Sequence, residues 1–149
     1  MAGTWTSQNK VLPGPYLNFR TNTPLSITPG ERGIVVLLQE MSKGVAGEMY
    51  TITTLDQSEY PADITAADKL LVNEALKGAK TVIVYNLGTT HTADTIDTAL
   101  AALMTKEHNV LVYPYDGTTY DSNKATIKTW IDMMRSEEGV NIQAVMANF

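Results

Sequence analysis

Three apolar runs, at residues 81–85, 109–113 and 141–147, begin about thirty residues apart, which is the length of a strand–helix–strand unit. Between the first two, Ile96, Leu100 and Leu103 recur at helical spacing. Between the second and third, Ile127, Trp130, Ile131 and Met134 form an i, i+3, i+4, i+7 stripe. Strands joined through helices of this length pair in parallel with right-handed crossovers, so the pattern predicts an open α/β sheet. The units share hydrophobic pattern but no residue motif, so the spacing marks this architecture and not a solenoid.

Local signals add to this frame. Thr65-Ala66-Ala67-Asp68 has the Thr-x-x-acid form of a helix start, with Leu70, Leu71, Ala75 and Leu76 as the expected apolar face and Gly78 as a left-handed stop. A second helix begins near Thr92; Asp121 or Ser122 is expected to cap the third, and Gly139 to end it. Upstream, residues 33–39 read as a buried strand and 48–53 as an amphipathic one, with Gly44 and Gly47 between them, a pair suited to a hairpin. The reading is therefore an α/β domain over residues 31–149: an open, mainly parallel sheet with flanking helices, preceded by an extended N-terminal arm and a short β pair. The last apolar strand runs to Asn148-Phe149 without a closing helix, and the expectation is a domain truncated at its C-terminus.

Residues 1–30 have a different character. Pro13, Pro15, Pro24 and Pro29 exclude continuous helix, and Gly14 and Gly30 mark turns. Yet Trp5, Val11, Leu12, Tyr16, Leu17, Phe19, Leu25 and Ile27 carry more apolar surface than a solvated tail would, so another surface is expected to cover this arm. The first ten residues lack the apolar stretch of a secretory signal. The longest aliphatic run, residues 34–38, is far below the roughly 20 residues that span a bilayer, so no direct membrane insertion is expected.

A formal net charge of -5 provides no basic field for phosphate backbones, so no nucleic-acid partner is expected. The chain has no cysteine, which removes disulfides, thiolate metal sites and thiol nucleophiles. Tyr85-Asn86-Leu87-Gly88-Thr89-Thr90 follows the first of the three strands without the glycine spacing of a dinucleotide turn or the Gly-Lys-Ser/Thr of a phosphate loop. Asp116 before Gly117 reads as turn chemistry. His91 falls in a loop, and His108 is placed at a helix end where a cation suits the dipole; neither stands at metal-ligand spacing from other candidates. No Gly-x-Ser-x-Gly elbow is present, and the methionines read as core filling. The residues thus nominate no catalytic, cofactor or metal site, and no enzyme is expected.

The string Gly3-Thr4-Trp5-Thr6-Ser7-Gln8-Asn9-Lys10-Val11-Leu12-Pro13-Gly14-Pro15-Tyr16-Leu17-Asn18-Phe19 resembles the opening of tail sheath proteins from contractile phages, defective prophages and phage-tail-like bacteriocins of Gram-positive bacteria. Gly33-Ile34-Val35-Val36, Asn109-Val110-Leu111-Val112-Tyr113-Pro114-Tyr115-Asp116 and Gln143-Ala144-Val145-Met146-Ala147-Asn148 extend the likeness along the chain. Members of that family are longer, the difference corresponding to a C-terminal domain and a final arm.

The resemblance implies a structural subunit, assembled in the host bacterial cytoplasm, that polymerises around an inner tail tube and contracts to drive it into a target cell. Its implied partners are other copies of itself, the tube protein and a baseplate, with no cofactor. It also implies arms that add strands to neighbouring subunits. Trp5, Val11, Leu12, Tyr16, Leu17 and Phe19 are then the candidate inter-subunit contacts, unless the arm folds back on its own domain. The second reading is a ligand-binding or enzymatic α/β domain of nucleotide-binding-like topology.

Overall fold

The computed structural model describes residues 33–54 and 56–148. A central parallel strand, β1 (Ile34–Gln39), organises the molecule. It is flanked on one side by β3 (Thr81–Asn86) and on the other by β4 (Val110–Tyr113), both parallel to it. β5 (Gln143–Met146) continues the sheet beside β4 in parallel, and β2 (Met49–Ile52) closes the other edge, antiparallel to β3. The order β2-β3-β1-β4-β5 gives the mainly parallel α/β sheet that the thirty-residue spacing predicts.

The upstream strands do not form the expected hairpin. β1 and β2 are separated by β3. Val36, Leu37 and Leu38 are each no more than 2% exposed, and a run buried on both faces gains most at the sheet centre, whereas β2 carries the exposed Thr51 and suits an edge. The intervening loop bonds to the end of β3: the Gly47 amide donates to the Asn86 carbonyl, and the Met41 amide to that of Gly88. Gly44, at φ 86°, also lies where an added Cβ would stand 2.7 Å from the Tyr50 hydroxyl, so this turn requires glycine.

Strand alternation divides the sheet into two apolar faces. Val36, Leu38, Ile83, Tyr85, Leu111 and Tyr113 face α2 (Ala93–Leu103) and α3 (Asp121–Ser136). The predicted stripes, Ile96, Leu100 and Leu103 on α2 and Ile127, Trp130, Ile131 and Met134 on α3, are all buried there. Leu37, Val82, Val84 and Ile52 face the opposite way, toward Val72 of α1 (Ala66–Leu76), Met41 and Tyr60.

The rotation of α1 differs from the expected one. Leu70 and Leu71 are 61% and 38% exposed, and Asp68, Val72, Ala75 and Leu76 form the inward face. Asp68 fixes this rotation: its carboxylate accepts from Ser42 Oγ at 2.6 Å and Thr65 Oγ1 at 2.8 Å, while its carbonyl accepts from Gln39 Nε2 at 2.8 Å. The Thr65 hydroxyl in turn accepts the Asp68 amide, so Thr65 is the N-cap as read.

Gly78 is not a left-handed stop. Lys77 closes α1 in right-handed conformation, and the Gly78 amide bonds to the Ala75 carbonyl. Neither Asp121 nor Ser122 caps α3 either. A 3-10 turn, Thr118–Tyr120, runs into the helix, so the Asp121 amide is already bonded to the Thr118 carbonyl. Gly139 does take φ 68°, and the Val140 amide reaches the Met134 carbonyl, closing α3 as predicted.

Candidate functional site

From β1 the chain reaches β3 by way of β2 and of α1, which packs on one face, whereas from β4 it reaches β5 through α3 on the other, so the carboxyl ends of the neighbours β1 and β4 form the sheet's switch point. Ligands commonly bind at such a position. Here it holds Glu40, the residue after β1; His91 from the β3–α2 loop; Tyr113 at the end of β4; Tyr115 and Tyr120 beyond it; and Asn123 of α3.

The His91 imidazole is fully buried, with Nδ1 2.7 Å from Glu40 Oε1 and Nε2 2.6 Å from the Tyr113 hydroxyl. With the carboxylate as acceptor, Nδ1 carries the proton and Nε2 accepts from the tyrosine. Asn123 Nδ2 donates to the same hydroxyl at 3.2 Å, and Glu40 Oε1 also accepts the His91 amide at 3.1 Å. The Tyr120 ring stacks on His91 at 5.2 Å, and Tyr115 lies 4.7 Å away at a tilt. The Tyr115 hydroxyl accepts the Glu40 amide. Burial raises the Tyr113 and Tyr115 phenols above their ordinary range, so both keep their protons.

Carboxylate, imidazole and hydroxyl stand in the order of a proton relay. The terminal hydroxyl, however, belongs to Tyr113, which is 0% exposed and bonded by two partners. What the group can do is fasten: it joins the end of β1, the β3–α2 loop, β4 and α3 through charged and neutral hydrogen bonds. Nearby amides are also engaged. Gly88 donates to Asn86 Oδ1 at 2.8 Å and His91 to Glu40, leaving neither facing outward as in a phosphate nest.

A second fastening lies beside it. Lys124 of α3 is 1% exposed, with Nζ 3.3 Å from Asp121 Oδ1, 3.4 Å from the Asn148 carbonyl and 4.0 Å from Asp116 Oδ1. Asp116 plays the turn role read for it, accepting the Gly117 amide at 2.7 Å, and also holds Asn148 Nδ2 at 2.7 Å.

His108 departs from expectation. It is buried against Trp130, rings nearly parallel at 6.0 Å, with Nδ1 bonded to the Lys106 carbonyl. Burial holds its pKa below 6.5, outweighing the upward effect of that bond, so it is a neutral core residue and not a cation at a helix end. Trp5, Val11, Leu12, Tyr16, Leu17 and Phe19 lie outside the described residues. Among the described residues, no cluster of three His, Asp or Glu is placed to hold a metal, and no helix is long and apolar enough to cross a membrane.

The pairing of His91 with Glu40 escapes sequence reading because 51 residues separate them, and only the insertion of β1 between β3 and β4 brings them together. Lys124 carries a weak signal. It stands three positions before Ile127 on the buried stripe of α3, where a lysine calls for a partner.

Comparison with known proteins bears out the resemblance read from the sequence. Residues 32–87 match the family described as Tail sheath protein Gp18 domain III N-terminal region, a structural family. Two Bacillus subtilis (strain 168) proteins, the uncharacterized protein YqbK and the phage-like element PBSX protein XkdK, are each 29% identical over 138 residues. Each alignment covers 87% of this chain and 29% of the relative, so the chain spans less than a third of their length. Among solved structures, the sheath tail protein of Desulfitobacterium hafniense superposes with a TM-score of 0.68 at 20% identity, covering 91% of this chain and 53% of that one. That of Listeria innocua does so with a TM-score of 0.68 at 18% identity, covering 80% and 48%. These two share the fold.

Proposed function

We propose that this chain, with residues 32–87 of the tail sheath Gp18 domain III N-terminal type, is a building block of a contractile tail sheath that polymerises around an inner tube. The family match carries this reading, and the fold shared with two sheath tail proteins supports it. The burial of the His91 imidazole and of Tyr113 also favours a structural role, since the fold's usual ligand position is given over to fastening. Residues 31–149 serve as the body. Residues 1–30 serve as an arm whose Trp5, Val11, Leu12, Tyr16, Leu17 and Phe19 join neighbouring subunits by strand addition.

In this reading the tube protein and a baseplate are the further partners, and assembly takes place in the host bacterial cytoplasm. Contraction is a rigid-body rearrangement of subunits that remain linked through their arms, driven by energy stored at assembly and without nucleotide. Negative-stain microscopy of the full-length natural protein, alone and with its tube protein, is the test. Tubes or sheaths are expected; monodisperse small particles in both preparations would defeat the proposal.

A further inference from the structure

α2 and α3 leave an apolar groove of about 500 Å³ between them, walled by Leu100, Ala101 and Met104 on one side and by Ala125, Trp130 and Met133 on the other. The two threonines in the α3 wall ask nothing polar of an occupant, because Thr126 Oγ1 donates to the Ser122 carbonyl at 3.1 Å and Thr129 Oγ1 to the Ala125 carbonyl at 3.0 Å. The groove runs to a corner where two buried nitrogens have no hydrogen-bond partner among the described residues, His108 Nε2 and Trp130 Nε1. Their side chains are 3% and 8% exposed. His108 Nδ1 donates to the Lys106 carbonyl, so Nε2 is an acceptor, whereas the indole N–H can only donate. Leaving both unmatched in a buried place is costly, and a passing peptide carries the N–H and the C=O that would match them.

The chain enters the body at this corner. α2 and α3 both run back to the amino ends of parallel strands, so Met104 and Met133 lie at the end of the sheet where β1 begins. The Gly33 amide donates to Asn109 Oδ1 at 3.0 Å, and Asn109 follows His108, whose ring lies against Trp130. The residues just before Gly33 have a form that suits the groove. Pro24 and Pro29, through their own rings and their effect on Thr23 and Thr28, favour an extended backbone. Leu25 and Ile27 then fall on one side of it, and Ser26 and Thr28 on the other. Ile27 stands six residues before Gly33, a reach of up to roughly 20 Å. Charge agrees: Arg20, five residues before Leu25, has a counterpart in Asp97, which lines the groove about 10 Å up α2 from Met104.

We propose that the groove between α2 and α3 receives residues 23–29 of the same chain, with Leu25 and Ile27 entering it and backbone groups of the segment pairing with His108 Nε2 and Trp130 Nε1. The segment is then a clasp on its own body. It fixes the root from which residues 1–19 extend, and it stands whether or not the chain builds a sheath.

Disulfide trapping in the full chain tests this, and the lack of any native cysteine keeps the result clean. Met104→Cys, at a position 45% exposed on the groove's rim, is combined in turn with Thr23→Cys, Leu25→Cys and Ile27→Cys. The controls combine the same three with Val45→Cys, which is exposed in the loop bonded to the carboxyl end of β3, at the other end of the sheet. Under mild oxidation at low protein concentration, at least one Met104→Cys pair is expected to bridge within the chain about tenfold faster than its control, read as thiol loss at monomer mass. Adding Ala101→Arg, exposed in the groove wall, is expected to return that rate to the control's. Thermal melts followed by circular dichroism check that the variants fold, and Thr129→Arg on the facing wall replaces Ala101→Arg if that variant does not. Pairs that bridge no faster than their controls overturn the proposal. So does a fast rate that survives the arginine, since the segment then passes Met104 without entering the groove. Bridges that form only between chains assign the groove to a second copy and overturn the clasp.

Discussion

Tyr113 ties the carboxyl-end contacts to the core beneath them. Its hydroxyl donates to His91 and accepts from Asn123, and its ring lies in the α2/α3 core. Tyr113→Phe keeps the ring and leaves two buried groups unsatisfied, which costs about 1–3 kcal/mol each at most; urea unfolding is expected to show a loss in this range. His108 gives a different signature. Its folded-state pKa lies below the ordinary 6.5, so the unfolded chain takes up the proton first as pH falls. Its contribution is intact above pH 6.5 and lost as pH falls through the folded value. Melting temperature is therefore expected to decline on acidification below pH 6.5, with a shallower decline in His108→Phe. Neither role is legible from neighbours in sequence. His108 is read correctly only once α2 is known to end at Leu103, short of it, and Trp130 to lie against it.

Whole elements were more legible than their orientations. Strands 81–85 and 109–113 and the stripes of α2 and α3 follow from periodicity because both helices bury one broad face. α1 lies where the sequence places it but is rotated from the expected face, because hydrophobicity favours Leu70 and Leu71 whereas the polar contacts of Asp68 choose the face. Val72→Ala, at a site with 0% exposure, is expected to cost about 2 kcal/mol from lost transfer energy and a cavity. Leu70→Lys is expected to change stability by less than about 0.5 kcal/mol. Parallel chemical denaturation curves check both, and equal losses would contradict the rotation. The hairpin expectation failed because adjacency in sequence is only a prior. A long-range strand displaces a local one when it buries the more apolar run.

Across the whole molecule, both described apolar cores are drawn from residues 34–146. On the arm reading, removing residues 1–20 is expected to leave the stability of the body within about 0.5 kcal/mol of wild type in urea unfolding followed by circular dichroism. A large drop would point to an arm folded on its own domain. The central place of β1 also has a mechanical consequence. The preceding chain enters at the amino end of β1, and the described fold is left beyond the carboxyl end of β5, which runs in the same direction. Tension between these two points loads β1, β4 and β5 lengthwise, in shear. Their ladder bonds then resist together instead of unzipping singly, and rupture requires the slow, cooperative crossing that governs forced unfolding.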